Sequence, residues 1–256
     1  MMNETEIYKD ISSGLPLATL EALNDSLIQE DNKLINCQYY EKNDFISRFS
    51  KQGGLSFLHL NIRSLSKHFD NLQNLLSTLG HRFRIIVLSE SRFSHKSSVP
   101  HNLDLENYSL ISNETEAAAG GTAMYICNTI CFKVRNDISS ALYKVKQLES
   151  TFIEIIEKGH NNVIVGCIYK HPTMPVNEFT DLYLEPIIDK INKEKKRCVF
   201  LADFNINLLE YNKKVDNFID MIRSHNIFPT VLFPTRITAE STTLIDNILI
   251  TQDKNL

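Results

Sequence analysis

The sequence has 256 residues, of which 43% are hydrophobic and 23% charged, so it can bury a core and needs no disulfides to hold it. The formal net charge of −4 and the pI of about 6.1 argue against a protein that holds nucleic acid through a broad basic face. They still allow an enzyme that grips a few phosphates locally and clusters carboxylates around a metal ion.

The five cysteines include no Cys-x-x-Cys pair, so neither a disulfide framework nor a zinc knuckle is indicated. Cys127, Cys167 and Cys198 lie in apolar, strand-like runs and are predicted to be buried thiols. The first residues lack the basic and apolar regions of a signal peptide, and no apolar run approaches the ~18 residues needed to cross a membrane. We therefore expect a soluble, intracellular protein with no membrane partner.

Residues 1–54 are predicted to form a weakly ordered N-terminal extension, because polar residues dominate this stretch. Within it, residues 16–27 have the leucine spacing of one amphipathic helix. The character of the sequence changes at Leu55, and a domain is expected to occupy residues 55–256.

Short apolar runs predict the strands of this domain, and amphipathic spacing predicts its helices. The predicted strands are 55–61, 84–90, 108–112, 122–128, 130–134, 150–156, 162–169, 198–205, 229–233 and 244–250. The predicted helices are 68–80, ended by Gly80, then 178–193, kinked or restarted at Pro186, and 215–224. The basic run 193–197 is predicted to be a solvated helix end.

Most of these strands follow one another too closely for helical crossovers, and only a few long helices interleave with them. This spacing predicts an α+β fold, in which mainly antiparallel sheets pack face to face and helices cover them.

Acidic, amide and phenolic side chains stand where several predicted apolar strands end. These residues are Asn61, Glu90, Tyr169, Asp203, Asn205 and Asp246. Ends of core strands are rigid, and residues there can converge on one rim of a sandwich. The sequence therefore predicts a candidate site at such a rim.

The chemistry of these residue types is specific. Carboxylates bind a hard cation such as Mg²⁺ through oxygen. A carboxylate beside an amide activates and orients a water molecule, and a phenol donates to a phosphate oxygen. Phosphodiester hydrolysis needs these three parts. A single Asn or Asp at a strand end is ordinarily a turn residue or a helix cap, so the residue types alone leave both interpretations open.

A series of motifs occurs in the order found in the endonuclease/exonuclease/phosphatase superfamily. They are LHLNIRSL (58–65), VLSESRF (87–93), GGTAMYI (120–126), GCIYKHP (166–172), LADFNINL (201–208), FPTRIT (233–238) and TLIDNIL (243–249). They most resemble the endonuclease domain of non-LTR (LINE-like) retrotransposons, and the resemblance covers about residues 55–250.

The resemblance implies a four-layer α/β sandwich, with two sheets face to face and helices outside. It also implies a divalent cofactor, Mg²⁺ or Mn²⁺, and cleavage of a DNA phosphodiester that leaves a 3′-hydroxyl to prime reverse transcription. A reverse transcriptase domain is then expected in the parent polyprotein, and the domain itself is expected to be a monomer that acts on DNA in the nucleus.

Residue roles follow from the matched motifs alone. Glu90 is implied as the main Mg²⁺ ligand, and Asn61 would hold the metal-site network. Tyr169 would contact the scissile phosphate. Asp203 would orient or deprotonate the attacking water, which Asn205 would aim.

Thr235 and Asp246 match lesser positions of the family. Arg63 and His171 neighbour motif residues and would contact phosphates, with a plain surface or loop residue as the alternative for each. Ala202 replaces the usual glycine of the Gly-Asp-x-Asn motif, which indicates sequence drift.

The family ends with a Ser-Asp-His strand beyond the Ile-Asp-x-Ile motif, and no Ser-Asp-His occurs in this sequence. We therefore expect a sandwich that lacks its C-terminal strand. Loss of a charge-stabilising group typically costs ~10²–10⁴ in rate, so we expect weak activity or none.

Two other functions remain open at this point. One is a non-catalytic remnant or binding module that keeps the sandwich fold. The other is a different activity of the superfamily, such as a phosphatase acting on inositol phosphates or a lipid. The LHLNIRSL and IYKHP segments favour the retrotransposon branch over this last possibility.

Overall fold

The computed structural model describes residues 37–49, 53–93, 103–116, 119–157, 159 and 161–252. The predicted helix at 16–27 lies outside this part of the chain. Contacts divide the chain into two compact units, Met1–Cys37 and Gln38–Leu256. The second unit contains every described residue except Cys37 and is the one described below.

The first sheet has four strands in the order β1-β2-β4-β3. They are β1 (Phe57–Asn61), β2 (Ile85–Ser89), β3 (Tyr108–Asn113) and β4 (Thr122–Cys127). β1 and β2 are parallel, whereas β4 is antiparallel to both β2 and β3. Helix α2 (Leu65–Leu79) makes the crossover between β1 and β2, and it ends at Gly80, as predicted, with a left-handed φ of 60°.

The second sheet has six strands in the order β5-β6-β7-β8-β12-β9. They are β5 (Phe132–Val134), β6 (Leu148–Ile155), β7 (Val163–Lys170), β8 (Arg197–Asp203), β9 (Ile227–Pro229) and β12 (Asp246–Thr251). Only β7 and β8 pair in parallel among the described strands of this sheet. A separate two-stranded ribbon, β10 (Arg236–Ile237) and β11 (Thr242–Thr243), was not predicted.

The helical segments of the second half mostly follow the prediction. They are α3 (Asn136–Ser139), α4 (Val176–Glu178), a π-helical segment (Phe179–Leu184), α5 (Glu185–Lys193) and α6 (Lys213–Ser224). The irregularity expected at Pro186 occurs just before it, where the Glu185 N–H bonds to the Thr180 carbonyl five residues back. α3 is too short to have been visible as a periodic pattern.

The two sheets pack face to face, and helices cover both outer surfaces, so the predicted fold class and its layers are confirmed. The core between the sheets includes Ile85, Val87 and Met124 from the first sheet and Val165, Cys167 and Leu201 from the second. α2 packs on the outer face of the first sheet. α5 and α6 pack on the outer face of the second. Cys127, Cys167 and Cys198 are buried thiols, as predicted.

The compact unit begins earlier than the predicted boundary at residue 55. Helix α1 (Lys42–Phe49) lies within the stretch predicted to be a weakly ordered extension. Phe45 packs against the core under α2, and its ring lies 6.2 Å from that of Phe83. This helix was not predicted because its apolar face is short, and no residue of it is fully buried.

The basic run 193–197 differs from the prediction of a solvated helix end. Glu194 and Lys196 join a largely buried ion network around Arg135 and Glu154, whose side chains are 6% and 1% exposed. Arg135 reaches Glu154 at 2.8 Å and Glu194 at 2.6 Å. The charges therefore connect the start of α3, β6 and the end of α5.

Gly166 of β7 lies directly opposite Phe152 of β6. A Cβ atom at position 166 would lie 2.3 Å from Cε1 of the buried Phe152 ring. We therefore expect Gly166→Ala to lower the free energy of unfolding by about 1–3 kcal/mol through overpacking, measured by chemical denaturation. Gly53→Ala is the control, because nothing lies within 4 Å of a Cβ there. Equal stability of the two variants would contradict the expected overpacking.

No helix within the described part of the chain is both long and apolar enough to span a membrane.

Candidate active site

The amide of Asn61 joins two carboxylates at the rim where the sheets meet. Asn61 ends β1, and its Nδ2 donates to Glu90 Oε1 at 2.8 Å and to Asp203 Oδ2 at 2.8 Å. Glu90 follows β2 of the first sheet, whereas Asp203 ends β8 of the second. The structure therefore brings together side chains that are 142 positions apart in sequence. Asn61 Oδ1 is buried and has no hydrogen-bond partner within the described structure.

The backbone around Glu90 adopts a conformation that non-glycine residues rarely take. Glu90 has φ of 51° and Arg92 has φ of 57°, both in the left-handed region. The carbonyl of Glu90 accepts the Ser64 N–H at 2.8 Å, at the start of α2. The tight turn after β2 places the Glu90 side chain towards Asn61, and Arg92 pairs with its other oxygen at 2.8 Å.

Asp203 lies between two site residues of neighbouring strands. Tyr169 of β7 is its register partner on one side, and Asp246 of β12 on the other. Asp203 is 1% exposed. Burial and the nearby Asp246 carboxylate raise the pKa of Asp203 to about 7, although hydrogen bonds from Asn205 and Asn61 oppose this shift. A carboxyl group with such a pKa can accept a proton near neutral pH.

Asn205 follows Asp203 by two residues and has φ of 46°. Its backbone N–H donates to Asp203 Oδ1 at 3.2 Å, and its side-chain amide donates to the Lys170 carbonyl at 2.9 Å. These bonds fix the turn after β8 against the end of β7. The side chain is thus held beside Asp203 rather than bonded to it.

Tyr169 is 4% exposed and close to the carboxylates of the rim. Burial raises its pKa well above the ordinary range, and Glu90 and Asp203 raise it further. The phenol therefore stays protonated at neutral pH and can act as a donor. The His171 ring lies 6.5 Å from the Tyr169 ring, and its Nδ1 is 2.8 Å from Thr173 Oγ1.

Asp246 and Thr235 form a second pair at the same rim. Thr235 Oγ1 donates to Asp246 Oδ2 at 3.0 Å and accepts the Asp246 N–H at 3.2 Å. Asp246 Oδ1 is buried without a partner in the described part of the chain. Burial raises the pKa of Asp246, whereas Thr235, Arg236 and Arg63 oppose the shift, so Arg63 lies within electrostatic reach of this carboxylate.

The donor atoms of the rim fit a hard divalent cation. Glu90 supplies a carboxylate beside the unsatisfied Oδ1 of Asn61, and oxygen ligands of this kind suit Mg²⁺ or Mn²⁺. Mg²⁺ commonly takes only one or two protein carboxylates and completes its shell with water and phosphate oxygens. No group of three or more His, Cys, Asp or Glu side chains with metal-binding geometry occurs among the described residues.

Two features of the rim were not assigned to the site from the sequence. Arg92 was given no role from the sequence, yet it pairs with Glu90. Glu149, at the start of β6, is register partner of Tyr169 and 3% exposed. No sequence signal distinguished it from the other glutamates of the domain.

No family model matches the sequence, and no curated protein matches it. Solved structures do match the fold. The endonuclease domain of TRAS1, a telomere-specific non-LTR retrotransposon, has a TM-score of 0.56 at 11% identity, covering 78% of this chain and 86% of that one. The catalytic domain of Xenopus laevis APE2 has a TM-score of 0.56 at 14% identity, and the match covers 77% of this chain and 82% of that one. A Neisseria 3′ phosphatase, NExo, bound to a product DNA hairpin, has a TM-score of 0.53 at 13% identity, and the match covers 77% of this chain and 87% of that one.

Proposed function

Because the chain has the fold of the endonuclease/exonuclease/phosphatase proteins, we propose that it is a metal-dependent phosphodiesterase of the DNA endonuclease type. One observation carries the proposal: Asn61 Nδ2 bridges Glu90 and Asp203 at 2.8 Å each. A carboxylate that could bind a metal ion and a candidate base, which follow strands of different sheets, are thus bonded to the same amide.

Glu90 and the free Oδ1 of Asn61 are the groups that would hold a divalent ion. When bound, Mg²⁺ or Mn²⁺ supplies positive charge that stabilises the developing charge on phosphate oxygens. The Arg92 guanidinium occupies the other Glu90 oxygen in this structure. Together with the bond from Asn61, this pairing fixes the orientation of the Glu90 carboxylate.

Asp203 would take the proton of the attacking water. Its pKa of about 7 leaves a large fraction ionised at neutral pH, as a general base requires. Asn61 fixes one oxygen of this carboxylate and the Asn205 N–H fixes the other. The Asn205 side chain would orient the water from its fixed place beside Asp203.

The remaining groups of the rim would bind the phosphate. Tyr169 keeps its phenolic proton and would donate it in a hydrogen bond to a phosphate oxygen. Arg63 and His171 would contact flanking phosphates, and Thr235 would hold Asp246 in place.

The finer part of the proposal concerns the biological setting. The order of the sequence motifs and the similarity to the TRAS1 endonuclease domain support a retrotransposon endonuclease that nicks DNA in the nucleus. A monomer joined to a reverse transcriptase in the parent polyprotein belongs to the same proposal. Since the sequence contains no Ser-Asp-His motif, we expect slow cleavage, and a non-catalytic remnant or binding module is the alternative.

Metal binding and DNA nicking by the purified chain test the proposal together. We expect Mn²⁺ binding in electron paramagnetic resonance titrations, and slow Mg²⁺- or Mn²⁺-dependent nicking of supercoiled plasmid at high protein concentration. Glu90→Gln should weaken Mn²⁺ binding by about 10-fold or more, because a neutral amide replaces the main charged ligand.

Glu106→Gln is the matched control, since Glu106 is exposed and precedes β3. Metal binding without any nicking would favour the binding module. If the natural sequence binds no metal and nicks no DNA, the proposed enzyme is rejected.

A further inference from the structure

Glu149 is a buried carboxylate that none of the proposed chemical steps uses. It is 3% exposed at the start of β6. One carboxylate oxygen accepts the Thr115 hydroxyl, and the other accepts the backbone N–H of Gly121. Both partners belong to the segment that connects β3 and β4 of the first sheet, whereas Glu149 belongs to the second. The side chain therefore links the two sheets close to the rim.

The turn that Glu149 holds has no room for side chains. Gly120 and Gly121 have φ of 127° and 82°, values that favour glycine. A Cβ at Gly120 would lie 2.3 Å from Glu149 Oε2, and one at Gly121 would lie 2.6 Å from Ser91 Oγ. The turn is thus packed against Glu149 on one side and against the segment after Glu90 on the other.

The same turn holds the backbone that follows Glu90. The Gly121 carbonyl accepts the Ser91 N–H at 3.1 Å, and the Gly120 carbonyl accepts the Arg92 N–H at 2.9 Å. Because Glu90 itself has a left-handed φ of 51°, its conformation depends on such external bonds. A shift of the glycine turn would therefore move the Glu90 side chain.

We propose that Glu149 is a positioning residue, which holds Glu90 in its metal-binding orientation through the Gly120–Gly121 turn. The inference rests on the proposed function, in which Glu90 binds the cation. Two hydrogen-bond donors point at the Glu149 carboxylate, one at each oxygen, and a carboxylate can accept both. A glutamine has one acceptor oxygen and an NH₂ group. Either the Thr115 hydroxyl or the Gly121 N–H would therefore face this NH₂ group, which is itself a donor, and would lose its hydrogen bond.

The matched control is on the same strand. Glu154 of β6 is also buried, at 1% exposed, but its charge partners are Arg135, Lys133 and Lys196. Glu149→Gln and Glu154→Gln are thus the same substitution at two buried positions of β6, and only the first touches the glycine turn.

The experiment measures Mn²⁺ affinity of the full chain by electron paramagnetic resonance, without DNA. Residues that orient metal ligands typically change metal affinity by 10–100-fold when substituted. We expect Glu149→Gln to weaken Mn²⁺ binding by about 10-fold or more, and Glu154→Gln to change it by less than about 2-fold. Glu149 is also the register partner of Tyr169, which would contact the DNA phosphate. Without DNA, a change in Mn²⁺ affinity reports on Glu90 and not on Tyr169.

Thermal melting and circular dichroism establish that each variant is folded. If Glu149→Gln does not fold, Thr115→Val serves in its place, because it removes one donor and keeps the bond to Gly121. We expect this variant to weaken Mn²⁺ binding in the same direction by a smaller factor. Unchanged affinity in a folded Glu149 or Thr115 variant would overturn the positioning role alone. Absence of Mn²⁺ binding to the natural sequence would overturn the proposed function and this inference together.

Discussion

Replacement of Asp203 by asparagine is expected to lower metal-dependent DNA cleavage by about 10²–10⁴-fold, because the variant has no carboxylate to accept a proton from water. The bond from Asn61 to this position can be retained, since asparagine keeps one acceptor oxygen. The loss should therefore affect the chemical step more than the fold. Initial rates of plasmid nicking, measured with excess protein across pH 5 to 9, give the comparison.

The same substitution should change how stability depends on pH. The pKa of Asp203 is raised to about 7 in the folded protein from 3.8, so the folded state binds more protons than the unfolded state between these values. Stability of the natural protein is then lost as pH rises through this window. Asp203→Asn removes that loss. The free energy of unfolding of the variant, taken relative to that of the natural protein, should therefore be about 1–3 kcal/mol higher at pH 8 than at pH 5.

Asp220→Asn is the control for both measurements, because Asp220 is exposed on α6. Denaturation is followed with a chelator present, so that metal binding does not contribute. An Asp203→Asn protein that nicks plasmid at the natural rate would exclude Asp203 as the base. A stability difference that is the same at pH 5 and pH 8 would exclude its raised pKa.

Arg135→Ala is expected to lower the free energy of unfolding by about 3 kcal/mol, because it leaves the buried carboxylate of Glu154 without its central partner. Arg135 contacts Asp137, Glu154 and Glu194 at 2.6 to 2.8 Å, and Glu154 is 1% exposed. Lys196 and Lys133 also contact Glu154, which keeps the expected cost at the lower end of the range for a broken buried ion pair. Urea denaturation at neutral pH measures the change.

Two further variants identify the cause. Lys190→Ala removes an outer partner of Asp137 that is 40% exposed, so it should cost less than about 1 kcal/mol. The double variant Arg135→Met, Glu154→Met replaces the central pair by apolar groups and should recover most of the lost stability. If the double variant is as unstable as Arg135→Ala, the unpaired charge of Glu154 is not the cause of the cost.

The layers of the fold were predictable because most of their strands are short apolar runs bounded by turns. β2, β4 and β7 were predicted within one residue at each end, since every residue in them is buried. The β10–β11 ribbon was missed because each strand has two residues and no buried side chain. Helix α1 was missed for a similar reason, since its apolar face is only partly covered.

The candidate site was predictable in its composition but not in its bonding. Strand ends and motif order identified Asn61, Glu90 and Asp203, but no sequence pattern indicates that one amide bonds to both carboxylates. The hydrogen bonds of Glu149 were not predictable because its partners lie in a segment that is separated from it by more than 20 residues. Such long-range bonds depend on how the sheets pack, which local patterns do not encode.

The bridge made by Asn61 links the chemistry to the assembly of the whole sandwich. Asn61 and Glu90 belong to one sheet and Asp203 to the other, so neither sheet alone contains the centre. A partly folded chain with a single sheet formed would not bring Asn61 and Asp203 together. Any change that separates the layers, even far from the rim, should therefore abolish DNA cleavage before the individual strands are lost.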